Sequence, residues 1–340
     1  MPSITGVSAV DELPGPEGRG PALKDHAAAG TGRLGDRLFG GAARGAGVLV
    51  IAIVTLIAVF LLSQALPALV KNKANFLTSS EWTVGGDSPR FGIANLAWVT
   101  ISSSVIAMAI AVPVGVCVAL FITQYSPAWL SRPAAALIDL LAAVPSIIYG
   151  IWGAFVFGPH ITGFQNLLNK YLGWLPFFGN DAGGVDSSGT IFFIGIVLSI
   201  MVLPIVTALS REVFAQTPIT HREGALALGA TKWEMIRTAV LPFGKPGVIS
   251  ASMLGLGRAL GETVAVLIIV SSLPGGSEWS WSLFNGGETF ASKIANNAAE
   301  FDSAQKTGAF VAAGLVLFIL TFIVNAIARV VIERRKAFSE

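Results

Sequence analysis

Residues 217–248 read TPITHREGALALGATKWEMIRTAVLPFGKPGV, and this polar stretch separates two long apolar segments. Residues 220–223 (THRE) and 231–234 (TKWE) have the S/T-x-x-E pattern of a helix capping box, so each predicts the start of a short helix. Gly229 suits the left-handed turn that ends the first helix, and Pro242 predicts the end of the second just before it. The stretch therefore predicts a hairpin of two short helices.

Apolar side chains recur at a spacing of three on both predicted helices, which pairs Ala225 with Leu228 and Trp233 with Ile236. We expect each pair to share a helix face, and an apolar face in water needs a partner that covers it. That partner is either another protein or the protein's own helix bundle and the membrane surface. The two caps and the exposed apolar faces favour docking to another protein.

The composition on either side of this hairpin indicates a membrane protein. The chain has 340 residues, of which 53% are hydrophobic and 12% charged, whereas soluble domains carry about 25% charged residues. A membrane span needs about 20 mostly apolar residues. Six runs satisfy this length, namely residues 47–66, 93–123, 134–157, 190–209, 248–271 and 308–331. The sequence therefore predicts an all-α, polytopic fold with six transmembrane helices.

The distribution of basic residues predicts the orientation of these spans. With the N-terminus inside, the inner segments hold 15 of the 22 Lys and Arg residues and the outer loops hold 6. This bias predicts that both termini and the loop at 217–247 are cytoplasmic. Residues 1–45 are rich in Gly, Ala, Pro and charge and predict a disordered cytoplasmic tail. Residues 46–340 are then the transmembrane domain.

Several classes of function are disfavoured by composition. A net charge of +2 without a basic, aromatic-rich cluster argues against a nucleic-acid partner. One cysteine, Cys117, forms neither an internal disulfide nor a cysteine metal cluster. The three histidines, at 26, 160 and 221, lie outside the predicted spans, and we find no nucleophile–base or metal-ligand constellation. We therefore predict no catalytic residues and no metal site, and a membrane enzyme is the least favoured class.

A charged pair, Arg258 and Glu262, lies within the fifth apolar run. A charge near the bilayer centre costs at least about 2.5–3.5 kcal/mol on insertion scales. A spacing of four residues permits an ion pair on one helix face. Two interpretations stay open, a structural ion pair or intersubunit tie, and a translocation site. In a translocation site the planar guanidinium would bind an oxyanion such as phosphate, and Glu262 would hold Arg258 when the anion is absent.

The hairpin resembles the EAA motif of ABC-importer permeases, which is Glu-Ala-Ala, three residues, Gly, nine residues and Ile-x-Leu-Pro. The matching residues are Glu223, Ala225, Gly229, Leu241 and Pro242. The chain departs from the pattern at Gly224 and Ala239, where the family usually has Ala and Ile. The resemblance implies that the loop forms coupling helices that insert into a groove of a cytoplasmic ATPase subunit. It also agrees with the predicted cytoplasmic side of the loop.

Three further stretches resemble the PstC family, permease subunits of bacterial phosphate ABC importers. They are LGLGRALGET at 254–263, DLLAAVPSIIYG at 139–150 and AVPVG at 111–115. The resemblance covers roughly residues 90–335 and implies the type I ABC importer permease fold.

The same resemblance implies roles for residues of the spans. It places Arg258 and Glu262 on the path of phosphate, with the hydroxyls of Thr263 and Ser146 as neighbours. The chain lacks the G-x-x-x-x-G-K-[ST] motif of ATPases, so ATP hydrolysis is expected from a separate subunit.

The resemblance also implies an assembly in the bacterial plasma membrane, in contact with lipid. This chain would form half of a phosphate pathway with a PstA-like permease subunit. A PstB-like ATPase dimer would bind ATP and Mg²⁺, and a PstS-like phosphate-binding protein would deliver the substrate from outside. The chain itself is then a transporter subunit without a cofactor, not an enzyme. The alternatives are an ABC permease for another oxyanion or small solute, and a secondary transporter.

Overall fold

The computed structural model describes residues 32–179, 189–270 and 280–336. Part of the predicted disordered tail, residues 1–31, lies outside the described residues. From Gly32 onward the prediction of disorder is wrong, because the first helix already begins there. The chain divides into two compact units, residues 1–56 and 57–340. Among the described residues, the first unit consists of the beginning of this helix, and its apolar side chains, such as Val48 and Ile51, are exposed.

Helices account for most of the described residues. The α-helices are α1 Gly32–Lys71, α2 Ala94–Leu120, α3 Ala128–Ala142, α4 Ser146–Trp152, α5 Gly158–Leu172, α6 Ile191–Ala215, α7 Ile219–Ala227, α8 Lys232–Met235, α9 Leu241–Leu260, α10 Val264–Ile269, α11 Phe290–Asn296 and α12 Ala304–Lys336. Three π-helical turns join consecutive helices, at Phe121–Tyr125, Gly153–Phe157 and Ile236–Val240. A short 3₁₀ turn, Ala298–Glu300, and an antiparallel pair of two-residue strands, β1 Trp82–Thr83 and β2 Arg90–Phe91, complete the list.

Six helices within the described residues are long and apolar enough to cross a membrane, which confirms the predicted number. They are Gly35–Lys71, Ala94–Tyr125, Ser146–Leu172, Ile191–Ala215, Lys232–Leu260 and Ala304–Val330. The second, fourth and sixth overlap the predicted runs closely, and the first extends beyond its predicted run of 47–66 at both ends. The third and fifth differ in ways that have identifiable causes.

The third predicted run, 134–157, does not form a single helix. Helix α3 ends at Ala142 and α4 begins at Ser146. Pro145 causes the break, since it lacks the N–H that would bond to the Leu141 carbonyl and it disfavours helical geometry in the residue before it. The Tyr149 hydroxyl donates to that carbonyl at 3.0 Å and replaces part of the lost pairing.

The fifth predicted run, 248–271, begins too late and includes a helix break after Leu260. The second helix of the loop does not stop at Pro242 but continues through a π-helical turn into α9, so one helix extends from Lys232 to Leu260. In that turn the Leu241 N–H donates to the carbonyl of Ile236, five residues earlier. Because the hydrogen bonding is shifted here, the helix continues although Pro242 has no N–H to donate. The predicted end of the run, residue 271, lies outside the described residues.

Helix α6 forms the centre of the second unit. Its large apolar side chains are buried along most of its length, including Phe193, Val197, Met201 and Val202. Neighbouring helices approach it closely where one partner is glycine. Within α6 itself, a Cβ added at Gly195 would lie 2.7 Å from Ile106 of α2. In lipid, helices associate mainly through van der Waals contact and not through the hydrophobic effect. Small residues favour this contact because they allow the backbones to approach closely.

We expect substitution of Gly255 in α9 to destabilise the bundle. A Cβ added at this position would lie 2.7 Å from the Val202 side chain of α6. Gly255→Ala should therefore cost about 1–3 kcal/mol through overpacking, seen as a lower thermal unfolding midpoint of the purified protein. Gly257→Ala is the matched control, because its added Cβ meets nothing within 4 Å. Equal midpoints for the two variants would contradict the assigned packing.

Candidate coupling surface and translocation site

Helix α7 begins earlier than the first predicted capping box. The helix starts at Ile219, and Pro218 occupies the N-cap position without a side-chain cap. Thr220 and Glu223 therefore lie inside the helix, and the prediction that they cap it is wrong. Proline fixes its own φ near −65° and has no N–H to satisfy, so it starts a helix without a side-chain cap.

The turn after α7 and the cap of α8 are as the sequence predicted. Gly229 has a φ of +86°, in the left-handed region that glycine adopts without strain. The Thr231 N–H donates to the Glu234 carboxylate at 2.8 Å, and the Glu234 N–H donates to the Thr231 hydroxyl at 3.3 Å. These two bonds form the capping box that begins α8.

The loop presents a different set of apolar side chains from the predicted one. Ala225 and Ile236 pack against a cluster of the protein's own bundle that includes Phe214, whereas Leu228 is 91% exposed and Trp233 is 56% exposed. Neither predicted pair shares a face. The hairpin thus uses one side to fasten itself to the bundle and leaves the other side open.

We call the open side of the hairpin the coupling surface. Its members are Ile219, Glu223, Leu226, Leu228 and Trp233, all of which are exposed. The first three follow a spacing of four and three residues, which places them on one face of α7. The Lys232 ammonium lies 4.8 Å from the ring centroid of Tyr125 and adds a contact between α8 and the end of the second span.

The six predicted coupling residues divide between these two sides. Glu223, Gly224 and Pro242 are exposed, while Ala225 and Leu241 pack against the bundle cluster and Gly229 forms the turn. The departure from the family pattern at Gly224 has no steric cost, because a Cβ added there meets nothing within 4 Å.

Arg258 lies in an open groove on one face of α9. The groove has a volume of about 510 Å³ and is lined by Ile205, Ser250, Met253, Leu254, Gly257, Arg258 and Asn325. Arg258 is exposed in this groove, and within the described part of the chain it forms no ion pair with a carboxylate. The guanidinium is therefore available to an external anion.

Glu262 does not share the helix of Arg258. Helix α9 ends at Leu260, and Glu262 lies in the break before α10, where it is 8% exposed. Its carboxylate accepts a hydrogen bond from the Ala265 N–H at 3.1 Å and so satisfies a free donor at the start of α10. The predicted i, i+4 arrangement on one helix face is therefore wrong.

Thr263 and Ser146 lie on either side of a close helix crossing. A Cβ added at Gly150 of α4 would lie 2.8 Å from the Ala265 Cα of α10. Ser146 is one turn before Gly150 and is half-buried. The Thr263 hydroxyl donates to the Gly261 carbonyl at 3.2 Å. This crossing brings the segments of Ser146, Glu262 and Thr263 together.

Sequence reasoning missed two residues of this region. Asn325 lines the Arg258 groove from α12, and an amide within an apolar run is a signal that the sequence carried. Tyr149 of α4 is the second, and its hydroxyl donates to the Leu141 carbonyl across the break at Pro145. No local pattern points to it, because the contact depends on that break.

The sequence matches the family described as binding-protein-dependent transport system inner membrane component over residues 111–337. It is 54% identical over 302 residues to phosphate transport system permease protein PstC 2 of Mycobacterium tuberculosis, covering 88% of this chain and 92% of that protein. It is 41% identical over 268 residues to phosphate transport system permease protein PstC of Xylella fastidiosa, covering 78% and 81%.

The fold gives an independent comparison. The crystal structure of a bacterial ABC transporter involved in the import of the acidic polysaccharide alginate aligns with a TM-score of 0.52 at 15% identity, over 88% of this chain and 99% of that chain. The family match and the six apolar helices therefore define the class as a multi-pass inner-membrane component of a binding-protein-dependent transport system.

Identity over most of the chain narrows this class further. The chain belongs to the PstC permease proteins, within the family of binding-protein-dependent transport system inner membrane components. Membership implies an ATPase and a binding protein as partners. The relatives are named as permeases, which confirms the prediction of a transporter subunit and not an enzyme.

Two glycines of the loop should respond in opposite directions to alanine. Gly224→Ala should stabilise α7 by about 0.5–1 kcal/mol, because alanine restricts the unfolded chain and meets no neighbour. Gly229→Ala should destabilise the loop by about 1–2 kcal/mol, because its φ of +86° strains a Cβ. Hydrogen exchange of the α7 amides measures both effects. Faster exchange in Gly224→Ala, or unchanged exchange in Gly229→Ala, would contradict the assigned backbone.

Proposed function

We propose that the chain is one of two permease subunits of an ATP-driven phosphate importer and forms half of its phosphate pathway. The observation that carries this proposal is Arg258, an exposed guanidinium in a mostly apolar groove, without a carboxylate partner among the described residues. The names of the relatives, phosphate transport system permease proteins, support phosphate as the substrate.

The chemistry of the groove supports an oxyanion. A guanidinium offers a planar fork of donors that matches two oxygens of phosphate. A lone charge facing lipid is costly, so we infer that the groove faces water and a second, PstA-like permease subunit. The hydroxyl of Ser250 and the amide of Asn325 line the same groove and provide further polar contacts. Glu262, Thr263 and Ser146 would line the pathway at the neighbouring helix crossing.

Coupling to ATP hydrolysis would pass through the loop. The coupling surface would dock on a PstB-like ATPase dimer, which would bind ATP and Mg²⁺, since this chain lacks the G-x-x-x-x-G-K-[ST] motif. The helix that begins with α8 continues to Leu260, so a movement of the loop reaches Arg258 along one rigid element. Closure of the ATPase would then rock the bundle between inward-open and outward-open states.

The remaining features of the assembly follow the same proposal. A PstS-like phosphate-binding protein would deliver phosphate from outside, and both termini and the coupling loop would lie in the cytoplasm. The surrounding lipid of a bacterial plasma membrane would cover the exposed apolar side chains, and no nucleic acid would take part. The basic-residue bias supports this orientation, with 15 of 22 Lys and Arg on the proposed inner side.

Arg258→Gln should abolish phosphate uptake while the assembly remains intact. The variant removes the charge but keeps the length and polarity of the side chain, and a charge-assisted contact contributes about 1.5–3 kcal/mol. Uptake of radiolabelled phosphate into proteoliposomes that contain the complete transporter should fall by at least about tenfold. Gel filtration of the complex checks assembly.

Two comparisons make this test specific. Arg90→Gln removes an arginine of the outer loop that pairs with Glu81, outside the groove, and should leave uptake unchanged. Excess sulfate in the assay tests the alternative substrate class. Normal uptake by Arg258→Gln would refute the site, and equal inhibition by sulfate and unlabelled phosphate would favour a general oxyanion permease.

Glu223→Ala should weaken the attachment of the ATPase subunit. The carboxylate lies on the coupling surface, exposed and free to contact a partner, and an interface hot spot contributes about 2 kcal/mol or more. Copurification of the ATPase and substrate-stimulated hydrolysis should both fall. Glu212→Ala removes an exposed carboxylate of α6 outside this surface and is the control. The coupling role is wrong if Glu223→Ala and Glu212→Ala retain the ATPase equally.

A further inference from the structure

A second cavity, which is wide open to the surface, lies at the end of the bundle that carries α7. It has a volume of about 600 Å³ and collects side chains from the π-helical turn after α2 and from α3, α6 and α7. Its charged and amide members are Gln124, Arg132, Asp139, Arg211 and Arg222. It shares no lining residue with the Arg258 groove, so it is a separate site.

The charge of this cavity is strongly positive. Three guanidinium groups and one carboxylate line it, which gives a formal charge of +2. The Arg211 Nη2 lies 3.2 and 3.3 Å from the two carboxylate oxygens of Asp139. Among the described residues, no acidic partner is recorded for Arg132 or Arg222. Two of the three cations are therefore uncompensated.

Three donors in this region are buried without an acceptor. They are the Arg211 Nε, the Arg222 Nε and the Gln124 Nε2, each from a residue that lines the cavity. Buried donors without partners are rare in folded proteins, because each costs about 1–3 kcal/mol. Positive charge and unpaired donors in one cavity fit an anion that carries several acceptor oxygens.

We propose that this cavity binds a phosphate group. Phosphate carries up to two negative charges and oxygens on every side, which matches a formal charge of +2 and donors from α6, α7 and the turn after α2. The group is either free inorganic phosphate or the headgroup of an anionic phospholipid, since both present negatively charged phosphoryl oxygens to the guanidinium groups. A bound anion would connect α7, and with it the coupling surface, to α3 and α6.

Removal of the Asp139 carboxylate should strengthen anion binding if the proposal is correct. Asp139 occupies the Arg211 Nη2 and repels an incoming anion. Asp139→Asn raises the formal charge of the lining from +2 to +3 and should tighten phosphate binding several-fold, about threefold to tenfold. A variant that merely damaged the fold would not bind more tightly.

The experiment uses the full chain in the Arg258→Gln background, which removes the groove as a second phosphate site. Equilibrium binding of radiolabelled inorganic phosphate is measured in a detergent without phosphate. The double substitution Arg211→Gln with Arg222→Gln should weaken binding by at least about tenfold. Arg237→Gln removes an exposed arginine of the same region that does not line the cavity, and binding should persist.

A second arm separates the two sources of the phosphate group. Native mass spectrometry measures how many phosphatidylglycerol molecules the purified protein retains, with phosphatidylethanolamine as the reference lipid. Retention of phosphatidylglycerol that the double variant loses, without binding of inorganic phosphate, assigns the cavity to a lipid headgroup. Binding of inorganic phosphate that the double variant loses assigns it to the free ion.

The proposal is overturned if the double variant binds both inorganic phosphate and phosphatidylglycerol as well as Arg237→Gln does. It is also overturned if Asp139→Asn tightens the binding of neither ligand. These binding outcomes do not depend on transport. Failure of the proposed import function would appear separately, as phosphate uptake that Arg258→Gln leaves unchanged.

Discussion

The π-helical turn at Ile236–Val240 is the feature on which the arrangement of both sites depends. Proline lacks the N–H that a helix interior requires, and the shifted hydrogen bonding of this turn accommodates Pro242 within one helix. Because the turn shifts the hydrogen bonding by one residue, the capping box at Thr231 begins the same helix that carries Arg258. Trp233 of the coupling surface therefore lies on the same helix as Arg258, and α7 is connected to that helix through the turn at Gly229.

Local chemistry explains what the sequence could predict. The capping box of Thr231 and Glu234 depends on neighbouring residues alone, and so does the positive φ of Gly229. The number of spans follows from length and hydropathy, which do not depend on packing. The boundaries at Pro145 and Pro242 were harder, since one proline breaks a helix and the other does not. Pro113 and Pro204 also lie inside helices, so proline alone does not mark the end of a helix in this bundle.

The positions of Arg258 and Glu262 could not be predicted from their spacing alone. Arg258 and Glu262 are four residues apart, and a continuous helix would have placed them on one face. The helix ends between them, so Glu262 satisfies the Ala265 N–H and Arg258 faces the groove alone. A buried carboxylate that bonds to backbone is held in a fixed position. Glu262 therefore acts in this conformation as a structural acceptor, and a change of state that frees it would have to replace that hydrogen bond.

The two sites differ in how strongly they would hold an anion. The Arg258 groove offers one guanidinium among mostly apolar side chains, whereas the cavity near α7 offers three guanidiniums opposed by Asp139. A pathway must bind an ion well enough to take it from water and weakly enough to release it. One charge meets both conditions better than three. The single arginine is therefore suited to passage, and the cluster with unpaired donors is suited to retention, which favours a structural or regulatory anion at the loop end of the bundle.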